Sequence, residues 1–156
     1  MSIEQADMLH GVGAADAARL IALGSRVHVS TGAQLFELGS EAHGVYLIER
    51  GRIALTLPMR IGAGQEDVLV EERTTGQMVG WSGLIPPHRF TLKALAQIDT
   101  DVVVLPRAPL LEFFDANPAI GYVVMRNLAS VVGQRLQVFQ AMWLREMQRF
   151  VETRSS

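Results

Sequence analysis

The residue types best suited to bind a ligand are concentrated in residues 76–96, which read GQMVGWSGLIPPHRFTLKALA. Gly80 and Gly83 flank Trp81 and Ser82, and small residues in such a turn allow consecutive backbone N–H groups to point at one anion. Arg89 follows the turn, and its forked guanidinium could close on the same anion. A glycine-rich turn without a ligand has the same spacing, so both interpretations stay open.

Trp81 is itself open to two interpretations. Its indole could form the wall of a pocket and stack on a planar ligand, or it could fill the pocket as a plug. The first interpretation predicts a small-molecule sensor. The second predicts a ligand-free dimeric scaffold that binds a protein partner.

Metal and hydrolytic chemistry have weaker support. No two histidines occur as His-x-His, the spacing by which a strand aims two ligands to one side. Ser82 lacks a complete G-x-S-x-G elbow, and Glu71 and Glu72 are adjacent in a predicted strand, so their side chains point to opposite faces. We therefore expect no enzyme and no metal site, with a cupin-like metal enzyme as the third alternative. We expect the four histidines to lie at the surface or to be hydrogen-bonded, and we expect His28 to face solvent. They are His10, His28, His43 and His88.

The middle of the chain, residues 26–106, alternates short apolar runs with glycine, proline and aspartate. Runs of this length and spacing predict an all-β sandwich or barrel. Residues 61–66 contain two glycines and predict a hairpin loop. The predicted strands are 26–30, 34–38, 45–50, 52–58, 67–73, 90–96 and 101–106.

Helices are predicted on both sides of this β region. A short helix is expected over residues 14–24, within an N-terminal segment 1–25, and another over 107–115. Asn117 should cap a long helix in which Pro118 is the first residue and which runs to about Phe150. We expect one domain over residues 1–156. It consists of the N-terminal segment 1–25, the β region 26–106 and the C-terminal helices 107–152.

The long helix carries an apolar stripe with helical spacing that is too long for the β region to cover. Exposed apolar patches of this size are rare on monomers, so the pattern predicts a homodimer that pairs this helix about a two-fold axis. A monomer with the helix folded back is the alternative. The predicted interface residues are Leu136, Phe139, Met142, Trp143 and Met147.

Composition narrows the functional class. The chain has 156 residues, no cysteine and a formal net charge of −2. It is therefore one globular domain without disulfides, and it is too acidic to bind nucleic acid by charge alone. It shows neither a signal peptide nor a run of apolar residues that could span a membrane, so we expect a cytoplasmic protein.

The order of elements and several short motifs resemble the cyclic nucleotide-binding domain of Crp/Fnr-type regulators. The matching segments are residues 30–39, 45–53 and 76–80, in which Gly32, Gly39 and Gly51 fall at the turn glycines of that family. The resemblance implies a double-stranded β-helix (jelly roll), mainly β with flanking helices, and a long C-terminal dimerisation helix. It also implies a non-enzymatic regulatory role in signal transduction.

The same resemblance suggests a ligand, namely cyclic AMP, cyclic GMP or another phosphate compound. The family carries a ribose-binding Glu directly after the glycine matched by Gly80, where this chain has Trp81. The phosphate-binding Arg-Ser/Thr pair falls on Phe90 and Thr91, with Arg89 one residue earlier, so the cassette is degenerate. The predicted ligand-binding residues are Gly80, Trp81, Ser82, Gly83, Leu84, Arg89, Phe90, Thr91, Leu128 and Val132.

Crp/Fnr-type transcription factors continue from the long helix into a helix-turn-helix domain. This sequence ends at Ser156, so it resembles the sensor half alone. We therefore expect no direct contact with nucleic acid or membrane. An unidentified protein partner would then receive the signal.

Overall fold

A computed structural model describes residues 2–155, apart from the side chain of Ile61. Two four-stranded antiparallel sheets form the centre, with strand orders β1-β8-β3-β6 and β2-β7-β4-β5. The strands are β1 (Ser25–Val29), β2 (Gln34–Phe36), β3 (Gly44–Arg50), β4 (Arg52–Ile61), β5 (Gly64–Thr74), β6 (Met78–Val79), β7 (Lys93–Ala96) and β8 (Thr100–Pro106), and the helices are α1 (Ala14–Ile21), α2 (Arg107–Ala116) and α3 (Pro118–Ser155).

Strands β3 and β8, at the centre of one sheet, are largely buried on both faces. Val102 and Ile48 pack into the cluster between the two sheets, whereas Val103 and Leu47 pack into a second cluster beneath the helices. A strand covered on both sides needs apolar residues at every position. This requirement explains the unbroken run of valines in β8.

The β4–β5 hairpin is longer than the sequence pattern predicts. The strands pair as far as Ile61 and Gly64, so Gly62 and Ala63 alone form the turn, and Gly62 has the positive φ of +62° that such a turn requires. Pairing shifts in register between Leu55 and Thr56 on β4, which leaves a bulge on the opposite strand. The expected loop over residues 61–66 is therefore mostly strand.

The N-terminal segment contains two 3-10 turns, Ile3–Gln5 and Asp7–Leu9, which the apolar pattern did not predict. Leu9 is buried in the cluster beneath the helices. The side-chain amide of Asn127 on α3 donates hydrogen bonds to the carbonyls of Met8 and His10. These bonds fix the N-terminal segment against the long helix.

Helix α3 changes character along its length. Its first half is buried through Val124, Leu128 and Val131, while residues from Leu136 onward are largely exposed. Phe139 packs against the cluster between the sheets, and Met142 is half-buried beside the β4–β5 hairpin. The prediction that the β region leaves this part of α3 uncovered was wrong at these two residues, because the longer hairpin reaches Met142 and the cluster between the sheets reaches Phe139.

The predicted cap of α3 also differs. The Asn117 side-chain amide donates to the carbonyl of Phe113, at 2.9 Å, so it points back to the end of α2. Its backbone carbonyl accepts the N–H of Gly121, at 3.1 Å, and so begins α3. Asn117 therefore joins the two helices and does not cap the second with its side chain.

Candidate functional site

The glycine-rich turn after β6 is a tight 3-10 turn over Trp81–Gly83. Gly80 adopts the left-handed conformation with φ +77°, which a residue with a side chain rarely does. The N–H of Gly83 donates to the carbonyl of Gly80 and the N–H of Leu84 to that of Trp81, both at 3.0 Å. One of the backbone N–H groups expected to face an anion, that of Gly83, is therefore used by the turn itself.

Close backbone contact holds this turn against β3. A Cβ atom on Gly83 would lie 2.0 Å from the carbonyl oxygen of Gly44, so only glycine fits. A guanidinium nitrogen of Arg107 donates to the Gly83 carbonyl at 3.2 Å. His88 Nδ1 lies 3.0 Å from the Ser82 carbonyl oxygen and must therefore be the donor.

Behind the turn lies a very small cavity. Its volume is about 10 Å³, enough for one water molecule, whereas a small-molecule pocket needs several hundred. Phe36 and Phe90 stack across it with their ring centroids 3.8 Å apart. The lining residues are Phe36, Leu55, Gly80, Trp81, Ser82, Phe90, Thr91, Leu92 and Arg135.

Arg135 is the charged residue among those that line this cavity. It comes from α3 and is 7% exposed, and its Nε donates to Glu71 Oε2 at 2.5 Å. The other carboxylate oxygen of Glu71 accepts a hydrogen bond from Arg73, which is 3% exposed and also binds Asp7 at 2.8 Å. A line of alternating charges thus runs from the N-terminal segment to the cavity.

Asp7, at the far end of this line, has its pKa raised above the ordinary value of 3.8, because its partial burial outweighs the attraction of Arg73. Its carboxylate also accepts the backbone N–H of Met78 at 3.0 Å. Arg73 itself donates to the Met78 carbonyl at 3.1 Å. The charges at this end are therefore tied to the short strand β6, which leads directly into the turn.

An apolar groove follows the outer face of α3 beside Trp81. One part has a volume of about 400 Å³, and a neighbouring part of about 250 Å³ also includes Thr91 and Arg135. Arg135 and Trp81 thus face both the closed cavity and the open groove. The groove is lined by Trp81, Ile85, Thr91, Met125, Leu128, Ala129, Val132, Gly133, Arg135, Leu136 and Phe139.

The structure brings most of the predicted ligand-binding residues together around Trp81. Gly83 and Leu84 belong to the same turn but are buried, Leu128 lies in the core, and Val132 faces the groove. Arg89 is not among the residues that line the cavity. Its side chain is exposed and donates to the carbonyl of Gly39 at 3.3 Å.

Three residues of the site were missed by sequence reasoning, namely Arg135, Glu71 and Phe36. Arg135 does leave a signal, because it lies two helical turns after Leu128 within an otherwise apolar stripe. A charge at such a position needs a buried partner. Glu71 gave no comparable signal, since its pairing depends on the packing of α3 against β5.

Over the described residues 2–155, no group of three or more His, Asp or Glu side chains is placed to hold a metal ion. In the same part of the chain, no helix has the length and apolar character needed to cross a bilayer.

Several solved structures share this fold. The N-terminal domain of a transcriptional regulator from Streptomyces coelicolor A3(2) has a TM-score of 0.71 at 17% identity, over 86% of this chain and 91% of its own. The catabolite activator protein of Thermus thermophilus has a TM-score of 0.72 at 21% identity, over 93% of this chain and 64% of its own. The c-di-GMP-responsive global regulator CLP of Xanthomonas campestris has a TM-score of 0.75 at 16% identity, over 85% and 64%.

The sequence itself was compared with curated proteins and with family models. No curated protein matches it. The family model for the cyclic nucleotide-binding domain matches residues 26–117, which is more than half of the chain. The jelly roll and the long C-terminal helix are thus those of Crp/Fnr-type sensor domains, as predicted, and the chain belongs to the cyclic nucleotide-binding domain family.

Proposed function

We propose that this domain is a regulatory module that acts as a homodimer through the exposed face of α3, and that its cavity is too small to admit a nucleotide without rearrangement. The main observation in favour of the dimer is a stripe of large apolar side chains that are exposed to solvent on α3. Leu136 is 58% exposed and Trp143 is 62% exposed. Monomeric proteins rarely leave such a stripe uncovered. Met147, Phe150 and Val151 continue it towards the end of the helix.

The groove beside Trp81 supports the choice of a second α3 helix as the partner. It lies on the same helix as the stripe and joins it at Leu136. A helix packed about a two-fold axis would cover the groove and the stripe together. Because Trp81 and Arg135 also border the cavity, a structural change in the cavity would directly alter the proposed dimer contact.

The cavity supports the ligand-free state. The Phe36–Phe90 stack and Trp81 leave the cavity a volume of only about 10 Å³, and a cyclic nucleotide would have to displace these side chains. In place of the ribose-binding Glu of the family stands Trp81, and Arg89 is turned to the surface. The domain would then pass its signal through protein contacts.

A second candidate function is binding of a small anionic ligand, including cyclic AMP or cyclic GMP. It is supported by the buried Arg135 and by the hydroxyl-bearing Ser82 and Thr91 at the same cavity. A thermal-shift screen distinguishes the two candidates, since a ligand that binds the folded state raises the melting temperature with concentration. No shift with cyclic AMP, cyclic GMP or other nucleotides supports the ligand-free module.

The dimer is tested by light scattering after gel filtration. The wild-type chain should have about twice the monomer mass of 17.1 kDa. Met147→Glu, at a residue 41% exposed, should give the monomer. Ile98→Glu, at a residue 43% exposed on a loop between β7 and β8, should stay dimeric. A monomeric wild type, or equal behaviour of the two variants, would refute the proposed interface.

A further inference from the structure

The pairing of Arg135 with Glu71 has a consequence for what the cavity can bind. We propose that Glu71 is an internal anion that occupies Arg135, and that an oxyanion site opens at Arg135 and Thr91 when Glu71 is displaced or neutralised. The ligand would be inorganic phosphate or the phosphate group of a small molecule. This inference rests on the second candidate function and specifies its site.

Burial explains why Arg135 needs an anion at all times. A guanidinium that is 7% exposed cannot be hydrated as it would be in water, and leaving it without a partner is costly. Within residues 2–155, Glu71 supplies the acceptor, through a bond from Nε. A guanidinium has five N–H donors, so further donors stay available for a phosphate.

The open part of the groove gives this site room. Arg135 and Thr91 border a space of about 250 Å³, together with the apolar side chains of Trp81, Leu136 and Phe139. The closed cavity on the other side of Arg135 holds one water at most. An oxyanion would therefore bind on the groove side of Arg135 and Thr91, beneath the second α3 helix that covers the groove in the proposed dimer.

The other ion pairs around Glu71 limit the loss of folding stability when a phosphate replaces Glu71 at Arg135. Arg73 holds the other oxygen of Glu71 at 3.2 Å, and it also binds Asp7 and the carbonyl of Met78. If Glu71 leaves Arg135 for a phosphate, its carboxylate stays next to Arg73. No buried charge is then left without a partner on either side of the exchange.

The charge on Glu71 is the variable to change. Glu71→Gln keeps the size of the side chain but removes the negative charge that neutralises Arg135. Glu72→Gln is the matched control, since Glu72 is the next residue of β5, is exposed and bonds Gln97. The double variant Glu71→Gln/Arg135→Gln removes both members of the pair and should lose the new site.

Melting temperatures are measured in inorganic phosphate and in chloride at equal ionic strength and pH. Glu71→Gln should gain about 5–10 °C at a phosphate concentration a hundred times its Kd. The wild type and Glu72→Gln should gain less, because phosphate must first displace Glu71 from Arg135, and the double variant should gain none beyond the effect of salt. An equal phosphate response in Glu71→Gln and Glu72→Gln, or one that survives loss of Arg135, would overturn the proposal.

A second variant covers the case in which Glu71→Gln does not fold. Glu71→Asp shortens the side chain by one methylene and keeps its charge near Arg73, so it should respond to phosphate more than the wild type. No difference from the wild type would refute the proposed role of Glu71 as the internal anion of Arg135. The mass of each sample by light scattering is a separate readout, so a failed dimer and a failed phosphate site can be told apart.

Discussion

Arg73 is the side chain whose replacement should test the buried charges most directly. It is 3% exposed and holds Asp7 at 2.8 Å, Glu71 at 3.2 Å and the Met78 carbonyl at 3.1 Å. Arg73→Met keeps a long apolar stem that fits the same space. It leaves Asp7 without its cation and removes one of the two guanidinia that bind Glu71.

The size of the loss follows from the burial of this pair. Removing one partner of a buried ion pair typically costs about 3–5 kcal/mol. In a domain of this size each kcal/mol lowers the melting temperature by about 2–4 °C, so Arg73→Met should melt about 6–20 °C below the wild type. An exposed pair such as Arg19–Asp16 is worth about 0–1 kcal/mol. Arg19→Met should therefore melt within about 4 °C of the wild type and is the matched control.

The pKa of Asp7 predicts how the stability difference between Arg73→Met and the wild type changes with pH. Burial already raises the pKa of Asp7, and loss of Arg73 removes the cation that lowers it. A raised pKa means that the folded state binds a proton more tightly than the unfolded state. The deficit of Arg73→Met relative to the wild type should therefore shrink as the pH falls from neutral towards the pKa of Asp7.

Urea unfolding followed by circular dichroism, at one protein concentration and several pH values, measures both quantities. A fixed concentration is needed because the proposed dimerisation would also contribute to stability. An Arg73→Met variant within 1 kcal/mol of wild type would show that the buried line of charges contributes nothing to folding. A deficit that grows on acidification would contradict the assigned role of Asp7.

Three further predictions concern single contacts. Gly83→Ala places a Cβ atom 2.0 Å from the Gly44 carbonyl oxygen, so it should destabilise the domain by about 1–3 kcal/mol or more in thermal unfolding; a variant as stable as wild type would contradict that close contact. His28→Ala removes the hydrogen bond that is the largest cause of the lowered pKa of Asp101, so NMR titration should show that pKa rising back towards 3.8; an unchanged value would refute it. Leu128→Ala removes a fully buried side chain and should cost about 2–5 kcal/mol in urea unfolding, and a loss below 1 kcal/mol would contradict its place in the core.

The β region could be predicted because strand alternation and turn glycines are local signals. Gly32, Gly39 and Gly51 all adopt positive φ, between +82° and +128°, as turn residues do. The short strand β6 and the two N-terminal 3-10 turns were not predicted, because segments of two or three residues have no periodicity to detect. Their positions depend on tertiary contacts such as the bonds from Asn127.

The site was predicted less completely than the fold. The turn around Trp81 was predicted, and Arg89 was expected to face a ligand bound there. Phe90 is buried and exchanges backbone hydrogen bonds with Gly39 and Ser40, so the residue before it points the other way in this extended segment. The cation at the cavity is instead Arg135, which pairs with a carboxylate 64 residues earlier in the chain.

The position of Trp81 beside the groove has a spectroscopic consequence. The chain contains two tryptophans, and the second, Trp143, is 62% exposed on the same helix that borders the groove. Intrinsic fluorescence is therefore a label-free report on this one face of the domain. Burial of Trp143 by a partner should shift the emission to shorter wavelength, whereas a ligand beside Arg135 should act on the emission of Trp81.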